Sequence, residues 1–184
     1  GPFVFLAIRN HIIQNLGIEQ AGYWETMTRI STYYLLFVST ILSVYFLPKL
    51  SKAQNNSETK NVFLQYYKFI LPIFVLGLTV LYFTRSLVIE LLFTKEFLPV
   101  ADLFLWQLLG DIFKVCALIL GLQFFAKKMT TAFIVAELFS LFVLYFASLY
   151  FIKIFQIEGV VIAYAFDNLV YLLVLAVYFR KSLF

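Results

Sequence analysis

Five ionisable side chains lie inside otherwise apolar stretches of this 184-residue chain. They are Arg9, Asp111, Lys114, Glu137 and Asp167. A charge in the interior of a bilayer costs at least about 2.5–3.5 kcal/mol, so such residues usually face other helices or a wet cavity. A guanidinium or ammonium group can bind an anion, and a carboxylate in apolar surroundings can take up a proton. These residues therefore suggest anion binding together with exchange of protons or cations.

Arg9 lies on an apolar helical stripe with Phe5 and Leu16, away from the polar side chains of the same segment. Its forked donors suit a phosphate group, which predicts contact with an anionic substrate. The alternatives are an ion pair with Glu137 or Asp167, or extension of the side chain to the lipid headgroups.

A second polar stripe is formed by Gln107, Asp111 and Lys114, whose spacing of i, i+4 and i+7 places them on one helix face. We expect Gln107 and Lys114 to bind substrate. We expect Asp111, Glu137 and Asp167 to couple transport to an ion. The alternatives are an Asp111–Lys114 pair inside the bundle and, for Glu137 and Asp167, neutral hydrogen bonds between helices.

The segments that carry these residues are apolar enough to cross a membrane. Hydrophobic residues make up 63% of the chain and charged residues 13%, against about 45–50% and 25% in soluble domains. A spanning helix needs about 20 mostly apolar residues, and runs that are apolar on all sides favour helices over the alternating strands of a barrel. The pattern predicts an all-α, polytopic membrane protein, a bundle of six transmembrane helices near residues 2–16, 24–47, 61–93, 100–126, 130–152 and 159–179.

Glycine, proline and polar residues mark the predicted boundaries. We expect Gly17 and Gly22 to separate the first two helices and Pro48 to end the second. The segment Lys49–Lys60 is predicted to be a polar loop, and Pro99 suits the first turn of the fourth helix.

Positive charges in the predicted loops set the orientation, because lysine and arginine in short loops stay on the cytoplasmic side. One side carries seven of them against two on the other, which predicts six crossings with both ends of the chain in the cytoplasm. The seven are Lys49, Lys52, Lys60, Lys127, Lys128, Arg180 and Lys181, and the two are Lys95 and Lys153.

The composition argues against several other classes of protein. Cys116 is the single cysteine and His11 the single histidine, so we expect no disulfide, no metal site and no cofactor. No basic stretch is interleaved with aromatic residues, which argues against nucleic-acid binding. No nucleophile–base pair lies in a loop, so we do not expect an enzyme. We interpret Tyr33 and Tyr34 as part of an aromatic belt at the membrane interface.

Several stretches of the sequence resemble one family of membrane proteins. Residues 16–24 (LGIEQAGYW), 29–31 (RIS) and 45–51 (YFLPKLS) are similar to the bacterial O-antigen translocases, and within them to the lipid III flippase branch that serves enterobacterial common antigen. Residues 92–97 (LFTKEF) and 105–111 (LWQLLGD) resemble the wider superfamily of multidrug, oligosaccharidyl-lipid and polysaccharide exporters.

The resemblance implies a flippase for polyprenyl-pyrophosphate-linked oligosaccharide in the bacterial inner membrane, working by alternating access. Residues 1–184 would form the C-terminal six-helix bundle of a twelve-helix, MATE-like transporter, with the N-terminal bundle absent from this chain. The chain starts Gly1-Pro2 without an initiator Met, and we expect it to belong to a longer protein. By resemblance, Arg9 would bind phosphate, with Asp111 and Lys114 also facing the cavity. A polysaccharide polymerase and a chain-length regulator are the implied partners.

Three other functions remain open from the sequence. A drug or cation antiporter of the same superfamily would favour acidic cavity walls and would not need Arg9. A membrane enzyme of polysaccharide assembly would usually carry a larger loop than Lys49–Lys60. A membrane scaffold would tolerate Arg9→Ala and Asp111→Asn without loss of function.

Overall fold

The computed structural model describes residues 2–183 of the chain, with side chains as far as residue 181. Within that range the chain is helical apart from short turns, and no strand occurs. We number the helices of this range as α1 (Pro2–Leu16), α2 (Ile18–Lys52), α3 (Asn56–Leu92), α4 (Lys95–Ala126), α5 (Thr130–Phe155), α6 (Glu158–Tyr178) and α7 (Arg180–Leu183).

Five helices, α2 to α6, are long and apolar enough to cross a membrane within the described part of the chain. The prediction of an all-α membrane protein is therefore confirmed. Helix α1 has 15 residues, a length of about 22 Å, which is less than the hydrocarbon thickness of about 30 Å. A sixth crossing through α1 stays a prediction.

Helix α4 lies at the centre of the bundle. Of its most apolar stretch 56% is buried, against 11% for the corresponding stretches of α3 and α5. It packs mainly on α6, and α6 packs on α5 as well. Three polar residues of α4 are therefore buried inside the bundle, namely Gln107, Asp111 and Gln123. Two apolar clusters fill the bundle, one around Ile8, Met27, Phe104 and Val161 and the other around Phe46, Tyr66, Leu120 and Leu175.

Pro48 lies inside α2, so the prediction that it ends the second helix is wrong. A proline ring clashes with the carbonyl four residues earlier, which here belongs to Val44. That carbonyl lies in a wider, π-helical turn, Leu42–Phe46, which accommodates the ring. The helix therefore continues to Lys52. The same arrangement, a π-helical turn just before the proline, surrounds Pro72 in α3.

The predicted break at Gly17 is found in the structure, whereas the predicted breaks at Gly22 and over Lys49–Lys60 differ from it. Gly17 has a φ of 98° and separates α1 from α2, a backbone conformation that glycine adopts without steric cost. Gly22, by contrast, lies within α2. The segment Lys49–Lys60 is mostly helical rather than a loop, because Asn55 caps α3 early by accepting the N–H of Glu58 at 2.8 Å.

The start of α4 also differs from the prediction. Pro99 lies in a 3-10 stretch, Lys95–Leu103, and the α-helical part starts at Phe104. Counting the 3-10 stretch, α4 begins five residues before the predicted start near residue 100, whereas its α-helical part begins four residues after it.

Candidate functional site

Asp111 is fully buried in α4 and joins three helices by hydrogen bonds. Ser31 donates to both carboxylate oxygens at 2.8 Å, and Tyr164 donates to one of them at 2.7 Å. The hydroxyl of Tyr34 donates to the other. The predicted Asp111–Lys114 ion pair does not form, because hydroxyl groups from α2 and α6 already occupy both oxygens.

Lys114 lies one turn further along α4 and is half-buried. Its Nζ is 5.5 Å from the ring centroid of Tyr164, close enough for a cation–π attraction. Within the described residues no carboxylate lies within ion-pair distance of it. Lys114 lines two neighbouring cavities of about 90 Å³ and about 360 Å³, which also share Tyr164 as a lining residue. Lys114 is therefore shared by the two cavities.

The small cavity combines this cation with neutral donors. Its polar lining comes from Lys114 and Gln107 of α4 and from Thr28, Ser31 and Thr32 of α2. The hydroxyl hydrogens of Thr28, Ser31 and Thr32 are already donated within the protein. Lys114 and the amide of Gln107 are therefore the groups of this set that can donate to a ligand, and no carboxylate is among the residues that line the cavity. Such a lining suits an anion.

The large cavity contains two carboxylates together with Lys114. Glu137 of α5 accepts a hydrogen bond from the hydroxyl of Tyr171 at 2.8 Å. Asp167 of α6 accepts from the hydroxyl of Ser140 at 3.0 Å to each oxygen. Three of the predicted site residues thus meet in one cavity. Over residues 2–183, no three His, Cys, Asp or Glu side chains come together where they could hold a metal ion.

Arg9 pairs with Glu25 and lines neither cavity. Helices α1 and α2 are joined at Gly17, and the two residues lie eight positions before and after it, so a hairpin of helices brings them together. Their side chains are 39% and 35% exposed, so this pair is not dry. The predicted alternative of a pair with Glu137 or Asp167 is wrong, because Glu25 is the nearer partner across the hairpin.

The hydroxyl groups that hold the carboxylates were not predicted. Tyr34 was interpreted as an interfacial residue, yet it faces Asp111. The available signal was helical spacing: Ser31 and Tyr34 lie at i and i+3 on α2, and Tyr164 and Tyr171 lie one turn on either side of Asp167 on α6.

Relatives of this chain are found among proteins of polysaccharide assembly. A family described as polysaccharide biosynthesis protein matches residues 5–102, more than half of the chain. The chain belongs to the polysaccharide biosynthesis protein family. The predicted resemblance is confirmed, and the apolar helices together with this membership make the protein a multi-pass membrane protein.

Two curated relatives of this family member carry the name Lipid III flippase, one from Escherichia coli (strain K12) and one from Shigella flexneri. Each is 31% identical over 136 residues, which is 74% of this chain and 33% of the relative. The chain thus spans about a third of the length of the curated relatives it matches. No solved structure matches it.

Proposed function

We propose that this protein translocates a polyprenyl-pyrophosphate-linked oligosaccharide, such as an O-antigen or common-antigen repeat unit, across the bacterial inner membrane. A pyrophosphate cannot cross hydrocarbon unaided, because its hydrogen bonds to water would be lost. The observation that carries the proposal is Lys114, a cation deep in an apolar bundle that lines two cavities. The similarity to lipid III flippases supports the same substrate class.

The pyrophosphate would bind at the small cavity. Lys114 supplies the charge, and Gln107 supplies an amide donor beside it. Arg9 would be a second phosphate ligand once the pyrophosphate of the substrate replaces Glu25 as the partner of its guanidinium group. The half-exposed pair leaves the guanidinium accessible for that exchange.

Ion coupling would act through three carboxylates. Glu137 and Asp167 lie in the large cavity, where a proton or cation from water could reach them. Asp111 is buried among hydroxyl groups from α2 and α6, so a change in its charge would alter how those helices are held. Sugar hydroxyls of the passenger could also bind to the two carboxylates of the large cavity.

The architecture would follow the transporters that the sequence resembles. Residues 1–184 would act as a six-helix bundle against a second bundle, and rocking of the two would expose the cavities to each side in turn. Both ends of this chain would face the cytoplasm. A polysaccharide polymerase and a chain-length regulator would use the delivered lipid.

The test is flipping of a polyprenyl-pyrophosphate-linked oligosaccharide by the full-length protein in vesicles. We expect Lys114→Ala to slow flipping about ten-fold or more, because a charge-assisted contact is lost, and Lys114→Arg to retain most of the rate. Lys153→Ala, at the exposed end of α5, is the control and should leave the rate unchanged. An unchanged rate in correctly folded Lys114→Ala would reject the proposal.

One observation favours a second candidate, export of a lipophilic cation. The large cavity carries two carboxylates against one lysine. The test is uptake of a lipophilic cation by vesicles that contain the full-length protein. Uptake that is lost in Glu137→Gln and Asp167→Asn but retained in Lys114→Ala would establish this function instead.

A further inference from the structure

An apolar groove of about 500 Å³ runs between α2 and α3. Its walls include Phe37 and Ile41 of α2 and Ile73 of α3, and the rings of Tyr34 and Phe74 meet across it with centroids 6.0 Å apart. The two helices do not pack closely along this stretch. The groove is therefore an open space between two helices on an apolar surface.

Gly77 leaves space in the wall of the groove. A Cβ built on this residue would meet no atom within 4 Å. A Cβ at this position would therefore extend into open space beside the groove.

Lys49 lies on α2 beyond the Ile41 end of the groove. Tyr45 and Lys49 follow Ile41 at successive steps of four residues, so they continue the same face of α2. The Nζ of Lys49 donates to the hydroxyl of Tyr45 at 2.7 Å and to Oε1 of Gln65 on α3 at 3.1 Å. Both partners are neutral, and among the described residues no carboxylate forms an ion pair with Lys49.

The distance along α2 matches one lipid. Lys49 lies fifteen positions after Tyr34, a length along the helix of about 22 Å. Half of a bilayer, counting the headgroups, measures about 20–22 Å. A lipid of a single leaflet would therefore reach from the lysine to the inner end of the groove.

We propose that the groove between α2 and α3 binds one anionic phospholipid, with its phosphate at Lys49 and an acyl chain lying over Gly77. Residues 49–68 contain four lysines and one glutamate, which favours an anionic headgroup over a zwitterionic one. This phospholipid stays bound to the protein and is distinct from the transported lipid-linked oligosaccharide that the cavities would bind. Through Tyr34, which donates to Asp111, it contacts the hydroxyl network of the core.

The experiment is native mass spectrometry of the purified full-length protein with phosphatidylglycerol or phosphatidylethanolamine. We expect phosphatidylglycerol to be retained, and Gly77→Leu and Lys49→Gln each to lower its bound fraction about five-fold. Gly77→Val provides a smaller filling of the groove. The controls are Gly22→Leu, where a Cβ also meets nothing, and Lys153→Gln at the end of α5. Both should retain lipid like the parent.

Three results with these phospholipids and variants would overturn the proposal, and a fourth would come from competition. These are equal retention of the two phospholipids, equal loss in the control variants, and unchanged retention in the groove variants when melting temperatures in lipid-free detergent show them to be folded. Displacement of phosphatidylglycerol by an equal concentration of polyprenyl phosphate would also overturn it, because the groove would then belong to the tail of the transported lipid. Failure of flipping in the Lys114 variants would leave these binding results unaffected.

Discussion

Asp111 links three helices in the polar interior by hydrogen bonds. One hydrogen bond between helices in a membrane contributes about 0.6 kcal/mol on average and at most about 1.7 kcal/mol. Asp111 accepts from three hydroxyl groups, so its removal would leave Ser31, Tyr34 and Tyr164 without their shared acceptor. Its effect on stability should therefore exceed that of any one donor.

We predict that Asp111→Ala lowers the free energy of unfolding by about 2–4 kcal/mol and Tyr34→Phe by about 1 kcal/mol. Asp111→Asn should fall between them, because the amide oxygen still accepts while its NH₂ group faces hydroxyl donors. Unfolding in detergent, followed by circular dichroism, measures all three.

The control for this prediction is Lys114→Ala, which removes none of the hydrogen bonds to Asp111. If Asp111→Ala were no more destabilising than Tyr34→Phe, the network would not hold the helices together. Loss of flipping in a stable Asp111→Asn variant would instead favour the proposed coupling role.

At the scale of elements, α4 and α6 approach each other at Gly110. A Cβ on this residue would lie 2.6 Å from Cδ1 of Tyr164 and 3.0 Å from Cα of Ala165. The backbone atom cannot move away as a flexible side chain could. The absence of a side chain at Gly110 therefore sets the spacing of the two helices and the position of Tyr164, which lines both cavities.

We predict that Gly110→Ala destabilises the protein by about 1–3 kcal/mol through overpacking. Gly121→Ala is the matched control on the same helix, since its Cβ would meet only Leu175 Cδ1 at 4.0 Å. The control should be neutral or stabilise by up to about 1 kcal/mol. Equal melting temperatures for the two variants would show that α4 and α6 can separate at Gly110 without cost.

At the scale of the whole molecule, the charged ends of the helices determine orientation. Lysine and arginine are concentrated at the α2–α3 and α4–α5 turns and in the tail, while the opposite turns hold Lys95 and Lys153. From the positive-inside rule we predict that the α4–α5 turn lies in the cytoplasm.

We predict that a thiol in the α4–α5 turn is shielded from reagents outside the inner membrane and that one in the α5–α6 turn is not. The test uses two variants in a Cys116→Ser background. Lys127→Cys places an exposed thiol in the α4–α5 turn, and Gln156→Cys places one in the α5–α6 turn. A membrane-impermeant maleimide added to spheroplasts should label the second variant. The first should react only after permeabilisation, and the reverse pattern would contradict the orientation.

The sequence by itself determined the all-helical class, the main spans and the residues worth examining. Apolar runs of about 20 residues leave a helix as the means of satisfying every backbone hydrogen bond in lipid. Spacing along one helix placed Gln107 and Lys114 together, and both line the small cavity. These are properties of single segments, which is why they could be predicted.

Only the tertiary structure decided which partners those residues have. Arg9 meets Glu25 instead of Glu137 or Asp167, and Asp111 is held by hydroxyl groups from two other helices. Partners on different helices depend on how the helices rotate and approach, as at Gly110, where α6 comes close enough for Tyr164 to reach across. That arrangement results from packing many side chains at once, and no spacing within one segment encodes it.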